Sequence, residues 1–147
     1  MPSSAPVPTL MIDEIEELWR ALSPLLGSLE AEPRTGRWSV KEVYAHLGRW
    51  DLVTALAVSS HVDRRPTDDW DALFATYAKT NLRWVRQDAD VELDEARDRA
   101  RAGHGRLMLT LRGLNNEDWD AYVRDMAADV RDHYRAHLDD PLAFSVT

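Results

Sequence analysis

The 147-residue sequence contains no cysteine. That absence excludes disulfides, thiolate metal ligands and a cysteine nucleophile together, so any sulfur chemistry has to be brought by a substrate. Positive charge is in short supply: 18 Lys and Arg against 26 Asp and Glu leave a formal charge of −8, which argues against nucleic acid or an anionic membrane as the main partner. No apolar run is long enough to span a membrane, and the N-terminal MPSSAPVPT has neither the basic start nor the apolar stretch of a signal peptide. The expectations are a frayed leader over residues 1–9, one domain over residues 10–147 and a cytoplasmic protein. Internal repeats, strand-like alternation and the G-x-S-x-G, Walker A and H-E-x-x-H motifs are missing as well. The G-x-G at Gly103 to Gly105 lies within a helical pattern and is no phosphate loop.

What is present is helical periodicity. Ile12, Ile15, Leu18, Trp19, Leu22, Leu25, Leu26 and Leu29 keep a 3.6-residue beat behind Thr9, the expected cap of a first helix. Pro24 should kink that helix, or restart it with Ser23 as cap. The segment WSVKEVYAHLGRWD, Trp38 to Asp51, opens a second helix running to about His61. Ser39 and Glu42 have capping-box spacing, and Trp38 and Val43 that of a hydrophobic staple. A third helix starts near Thr67 with Trp70, Leu73, Phe74, Tyr77, Trp84 and Val85 inward, and a fourth runs from about Val91 to Arg112. Gly103 inside that fourth helix costs about 1 kcal/mol relative to alanine, so close packing there is the expected compensation. The last helix, capped by Asn115 or Asn116, spans about Glu117 to Asp139, with Pro141 after its end. The chain therefore reads as all-α, a four-helix bundle with an extra or split helix in a crossover.

Histidines stand out against this frame. On the second helix His46 shares a face with Val43, Leu47, Trp50 and Val53, and an imidazole buried there needs a hydrogen bond or a metal. On the last helix the stripe Trp119, Tyr122, Val123, Met126, Val130 continues into His133 and His137. Being four apart, those two lie one above the other and can chelate one ion.

Taken together, these segments resemble the DinB-like superfamily of metal-binding four-helix bundles, which includes the N-terminal domains of mycothiol-dependent maleylpyruvate isomerases and the bacillithiol transferases. WSVKEVYAHLGRWD is similar to that superfamily's second-helix motif and DHYRAHL to its late H-x-x-x-H motif. Within it the layout is most similar to the ClbS/DfsB branch, through NLRWVRQDADVELDEARDRARAGHGRLMLTL and HYRAHL. The likeness covers about Leu10 to Leu138. It implies that His46, His133 and His137 bind a divalent transition metal, zinc or nickel by preference, with a low-molecular-weight thiol as a candidate cosubstrate. The ClbS/DfsB branch includes proteins described as acting on reactive small molecules without an evident need for the ion, and the chain is expected to lack the second domain attached in the isomerases.

Three neutral imidazoles leave coordination positions open, as a catalytic site requires, and suit zinc, nickel, copper or iron. The competing reading is a set of histidines merely hydrogen-bonded at a polar bundle end. Asp129, one turn before His133, is a candidate to orient an imidazole or add a fourth ligand, against plain solvation. Tyr134 is a candidate proton donor or substrate contact, against plain packing. Trp50 is placed to wall the site, His104 reads as a core or boundary residue and His61 as surface. Arg97, Arg99, Arg101 and Arg106, interleaved with Glu95 and Asp98, read as a salt-bridged face rather than an anion site. The resulting expectation is a small-molecule enzyme, a thiol S-transferase or detoxifying hydrolase acting on an electrophile, with homodimerisation allowed by its six tryptophans. The alternative is a non-catalytic bundle that sequesters a hydrophobic or reactive ligand.

Overall fold

In the computed structural model, which describes residues 7–32 and 38–143, the chain forms six α-helices and, among those residues, no strand. They are α1 (Val7–Ser28), α2 (Val40–Val62), α3 (Asp68–Ala75), α4 (Tyr77–Gln87), α5 (Leu93–Arg112) and α6 (Ala121–Asp139). Helices α1, α2, α5 and α6 are the bundle, and the α3–α4 pair forms the split crossover between α2 and α5.

Helix α2 is the axis of the molecule, buried around most of its circumference because α5, α6 and the crossover pack on it, while α1 packs on α6 and α5. Its start is the expected capping box: Ser39 Oγ accepts the Glu42 N–H at 3.3 Å while Glu42 Oε1 accepts the Ser39 N–H at 3.0 Å. Trp38 and Val43 are both buried in the main core beside it. Helix α5 crosses α2 at two glycines. A Cβ on Gly48 would stand 2.8 Å from the Arg99 carbonyl oxygen, and one on Gly103 2.7 Å from the Gly48 carbonyl oxygen, so only hydrogen fits at either position. The helical cost of Gly103 is thus offset by backbone contact between the two helices.

Four local expectations need correction. Thr9 caps nothing: α1 already begins at Val7, while the first six residues of the expected leader lie outside the described residues. Of the two alternatives at Pro24, the restart capped by Ser23 is the one overturned: α1 runs through the exposed proline, whose ring leaves the Arg20 carbonyl without its usual N–H. The third helix is broken at Thr76 (φ −118°, ψ 39°), which resets the helical phase and leaves Tyr77 exposed rather than inward. Finally, Asn115 caps only a 3₁₀ turn over Asn116–Asp118, in which Asp118 closes back onto the Asn115 N–H at 2.8 Å. Trp119 then leaves helical geometry, and Asp120 caps α6 by accepting the Val123 N–H at 3.1 Å.

Charged residues outside the core mostly pair. Arg97 bridges Glu30 and Asp94, and Arg99 reaches Glu95 at 2.9 Å, as expected of a solvated face. Tyr44 donates to Glu30 at 2.7 Å, and its phenol is pushed up to about 12, by burial first and by that bond second.

Candidate metal centre

His46 reaches the centre because the capping box fixes where α2 begins, and His133 and His137 reach it as successive turns of α6. The structure brings all three together. One ring nitrogen from each lies within 4.8 Å of the others, and ring centroids are 4.7 Å apart for His46 and His133, 5.6 Å for His46 and His137, and 4.9 Å for His133 and His137. Two of the rings are held from outside the cluster. His137 Nδ1 lies 3.1 Å from the Pro141 carbonyl, so Nδ1–H donates there and the Nε2 lone pair is left for a ligand. Trp38 sets its ring edge to face on His46 at 4.7 Å. His46 Nε2 and His133 Nε2 share one hydrogen bond of 2.7 Å.

Burial keeps these imidazoles neutral. His46 is driven well below the ordinary histidine range by desolvation first and by His133 and His137 second, with a hydrogen bond to Asn81 acting the other way. His133 is pushed down to about 3 by desolvation and by His137, and His137 is lowered by desolvation against the Pro141 bond and Asp140. At neutral pH all three therefore carry lone pairs, the condition for binding a cation. The donor set fits a borderline transition metal: nitrogen only, three ligands, and no carboxylate within the cluster.

Two cavities open onto His46. One, of about 320 Å³, runs between α2 and α4 past Lys41, Trp84 and Asp88. The other, of about 370 Å³, is lined by both His46 and His133 and walled by Trp50, Phe74 and Tyr77. Asn81 lines both, and its Oδ1 accepts the Trp50 Nε1–H at 2.7 Å, so Trp50 is core and cavity wall at once.

The two catalytic candidates fare differently. Asp129 lines the second cavity but is exposed at its edge and is not a member of the ligand cluster; burial, with Asp132 and Asp125 nearby, raises its carboxyl. Tyr134 is fully buried and lines neither cavity, its hydroxyl donating to Asp51 Oδ2 at 2.5 Å and lying 2.8 Å from His104 Nδ1. His61 is half-exposed, stacked on Tyr122 and 2.6 Å from Asp120, far along α2 from the cluster. His104 is buried against Trp19.

Sequence reasoning missed Asn81 and Asp51. Both are polar residues in amphipathic helices, where surface is the default. For Asp51 a signal existed: with Leu47, Thr54 and Val58 it keeps helical spacing on a second face of α2, and all four are buried.

The sequence profile of the DinB superfamily matches residues 9–139. The chain belongs to the DinB superfamily. No curated protein and no solved structure was found to match it. As a DinB-superfamily bundle it has its three histidines on α2 and α6, in the order that the resemblance implied. No helix among the described residues is long and apolar enough to cross a membrane.

The buried carboxyl of Asp51 gives this DinB-superfamily bundle a pH-dependent stability. Desolvation raises it to about 7, opposed by the Tyr134 hydrogen bond. Between about pH 4 and about pH 7 the folded state then holds a proton that the unfolded chain has released, so stability falls as pH rises through that window. A rise of about three pKa units corresponds to about 4 kcal/mol at most. Denaturant melts of Asp51→Asn against wild type should show the variant's relative stability growing from about pH 4 to about pH 7 and level above it.

Proposed function

We propose that the chain is a divalent-metal-dependent small-molecule enzyme in which His46, His133 and His137 hold the ion and the cavity walled by Trp50, Phe74 and Tyr77 receives an electrophile. What carries this reading is the convergence of three neutral imidazole nitrogens, from two helices remote in sequence, at the inner wall of that cavity. DinB-superfamily proteins bind metals, and the match along most of the chain supports the same use here. Zinc or nickel suits the donor set, and a bound cation of this kind supplies Lewis acidity that lowers the pKa of a water or thiol nucleophile. The protein's own contribution is orientation and exclusion of water: Pro141 fixes the His137 tautomer, Asn81 ties His46 to Trp50, and the aromatic wall holds an apolar reactant against the centre.

A thiol is the favoured nucleophile on the resemblance to thiol transferases, and with no cysteine in the chain the thiol comes as a small cosubstrate in a cytoplasmic setting. Thiol transfer and hydrolysis separate experimentally. Zinc-loaded protein is incubated with an excess of an epoxide or an activated aryl halide, with and without a small thiol. Turnover only with thiol identifies an S-transferase, and turnover without it a hydrolase. Uptake that stops at one molecule per chain would instead support sequestration, the reading that the two cavities favour if no metal is held.

A further inference from the structure

Asp51, Tyr134, His104 and Glu16 form a continuous polar line through the apolar core. Asp51 is 1% exposed and lines the cavity that His46 and His133 also line. Its Oδ2 accepts the Tyr134 hydroxyl at 2.5 Å, that hydroxyl lies 2.8 Å from His104 Nδ1, and His104 Nε2 lies 3.5 Å from Glu16 Oε1. The His104 ring is pinned in this orientation by stacking on Trp19 at 4.3 Å with 10° between planes. Glu16 sits at the α1–α5 surface, where Arg112, itself exposed, pairs with it at 3.1 Å. No ion pair of Asp51 exists among the described residues, and a buried carboxylate without a cation is costly to keep ionised. An asparagine there would accept the same tyrosine hydrogen bond without that cost, so an acid at this position points to proton chemistry.

We propose that Asp51 is an acid–base group of the histidine-lined cavity and that Tyr134 and His104 relay its proton to and from Glu16 at the surface. The inference rests on the reading of that cavity as the reaction site. With Asp51 ionised, Tyr134 O–H donates to Asp51 and His104 Nδ1–H donates to the tyrosine oxygen. A proton from solvent, passed by Glu16, bonds to His104 Nε2; the Nδ1 proton moves to the Tyr134 oxygen as the tyrosine proton moves to Asp51 Oδ2. The product has Asp51 protonated, Tyr134 O–H donating to His104 Nδ1, and His104 Nε2–H donating to the Glu16 carboxylate. One proton has crossed, tyrosine and histidine end neutral, and the imidazole has changed tautomer. Tyr134 is never a phenolate in this exchange. The other titratable groups that share the Asp51 cavity are His133 and Asp129 of α6, His46 of α2 and Tyr77 of α4; His104 is faced by Glu16, Tyr134 and Arg112.

The test follows the His104 ring nitrogens by ¹⁵N NMR, and the buried carboxyl stretch by infrared, from about pH 5 to about pH 9, in full-length metal-free and zinc-loaded protein. The expected result for metal-free protein is an Nε2–H tautomer at low pH that gives way to Nδ1–H with the midpoint at which the protonated carboxyl band disappears. Asp51→Asn should remove the band and freeze the tautomer, and Tyr134→Phe should keep the band but uncouple it from His104. A single His104 tautomer across the range in the wild type, or a tautomer change that persists in Asp51→Asn, overturns the relay; neither result needs Tyr134→Phe to fold. A chain that holds no zinc yet shows the coupled change would lose the metalloenzyme reading and keep the relay, and a zinc-holding chain with a fixed tautomer the reverse.

Discussion

Replacing His137 with alanine is expected to weaken zinc binding by at least about 100-fold. Losing an outer partner that merely orients a ligand typically costs 10–100-fold in metal affinity, and His137 is itself one of only three donors in the cluster. The same loss is expected for His46→Ala and His133→Ala, because no carboxylate in the cluster stands in for a missing imidazole. His61→Ala should leave affinity unchanged, since that ring faces Asp120 and Tyr122. Competition titration with a zinc-binding dye measures all four. Equal affinity in His61→Ala and His137→Ala would show that the metal sits elsewhere.

The second large effect belongs to the α2–α5 crossing. Gly103→Ala puts a methyl 2.7 Å from a backbone oxygen of Gly48, where no side chain can swing aside, so the helices must separate. Overpacking of this kind costs about 1–3 kcal/mol, and a loss of about 2 kcal/mol should lower Tm by roughly 4–8 °C. Gly105→Ala, two residues on, meets nothing within 4 Å and should gain up to about 1 kcal/mol from helix propensity alone. Thermal melts of the pair should therefore move in opposite directions; movement in the same direction would mean that the two helices do not touch through Gly48 and Gly103. Because Gly48 lies two residues after His46, separation of α2 from α5 should weaken zinc binding in Gly103→Ala as well.

The parts of this arrangement that follow from local rules could be read from sequence. Ser39 and Glu42 set the start of α2, and helical spacing then turned His46 inward; the same spacing carried His133 and His137 to the inner face of α6. Gly103 was readable because a glycine in a helix interior demands a reason. Features that depend on a third element were not. Thr76 breaks the crossover through backbone geometry that no nearby glycine or proline announces, and this leaves Tyr77 at the cavity mouth rather than in the core. Asp51 and Asn81 are polar residues in helices, and what buries them is the packing of α4 and α6 against α2. Tyr134 read as either packing or chemistry; its side chain is buried like a packing residue, while its two polar neighbours give the hydroxyl a reason to be there.

Elemental analysis of protein expressed without a polyhistidine tag, loaded with zinc or nickel and dialysed, tests the metal centre most directly. The three converging imidazoles predict about one equivalent of metal per chain. Less than about a tenth of an equivalent of any transition metal would contradict that centre.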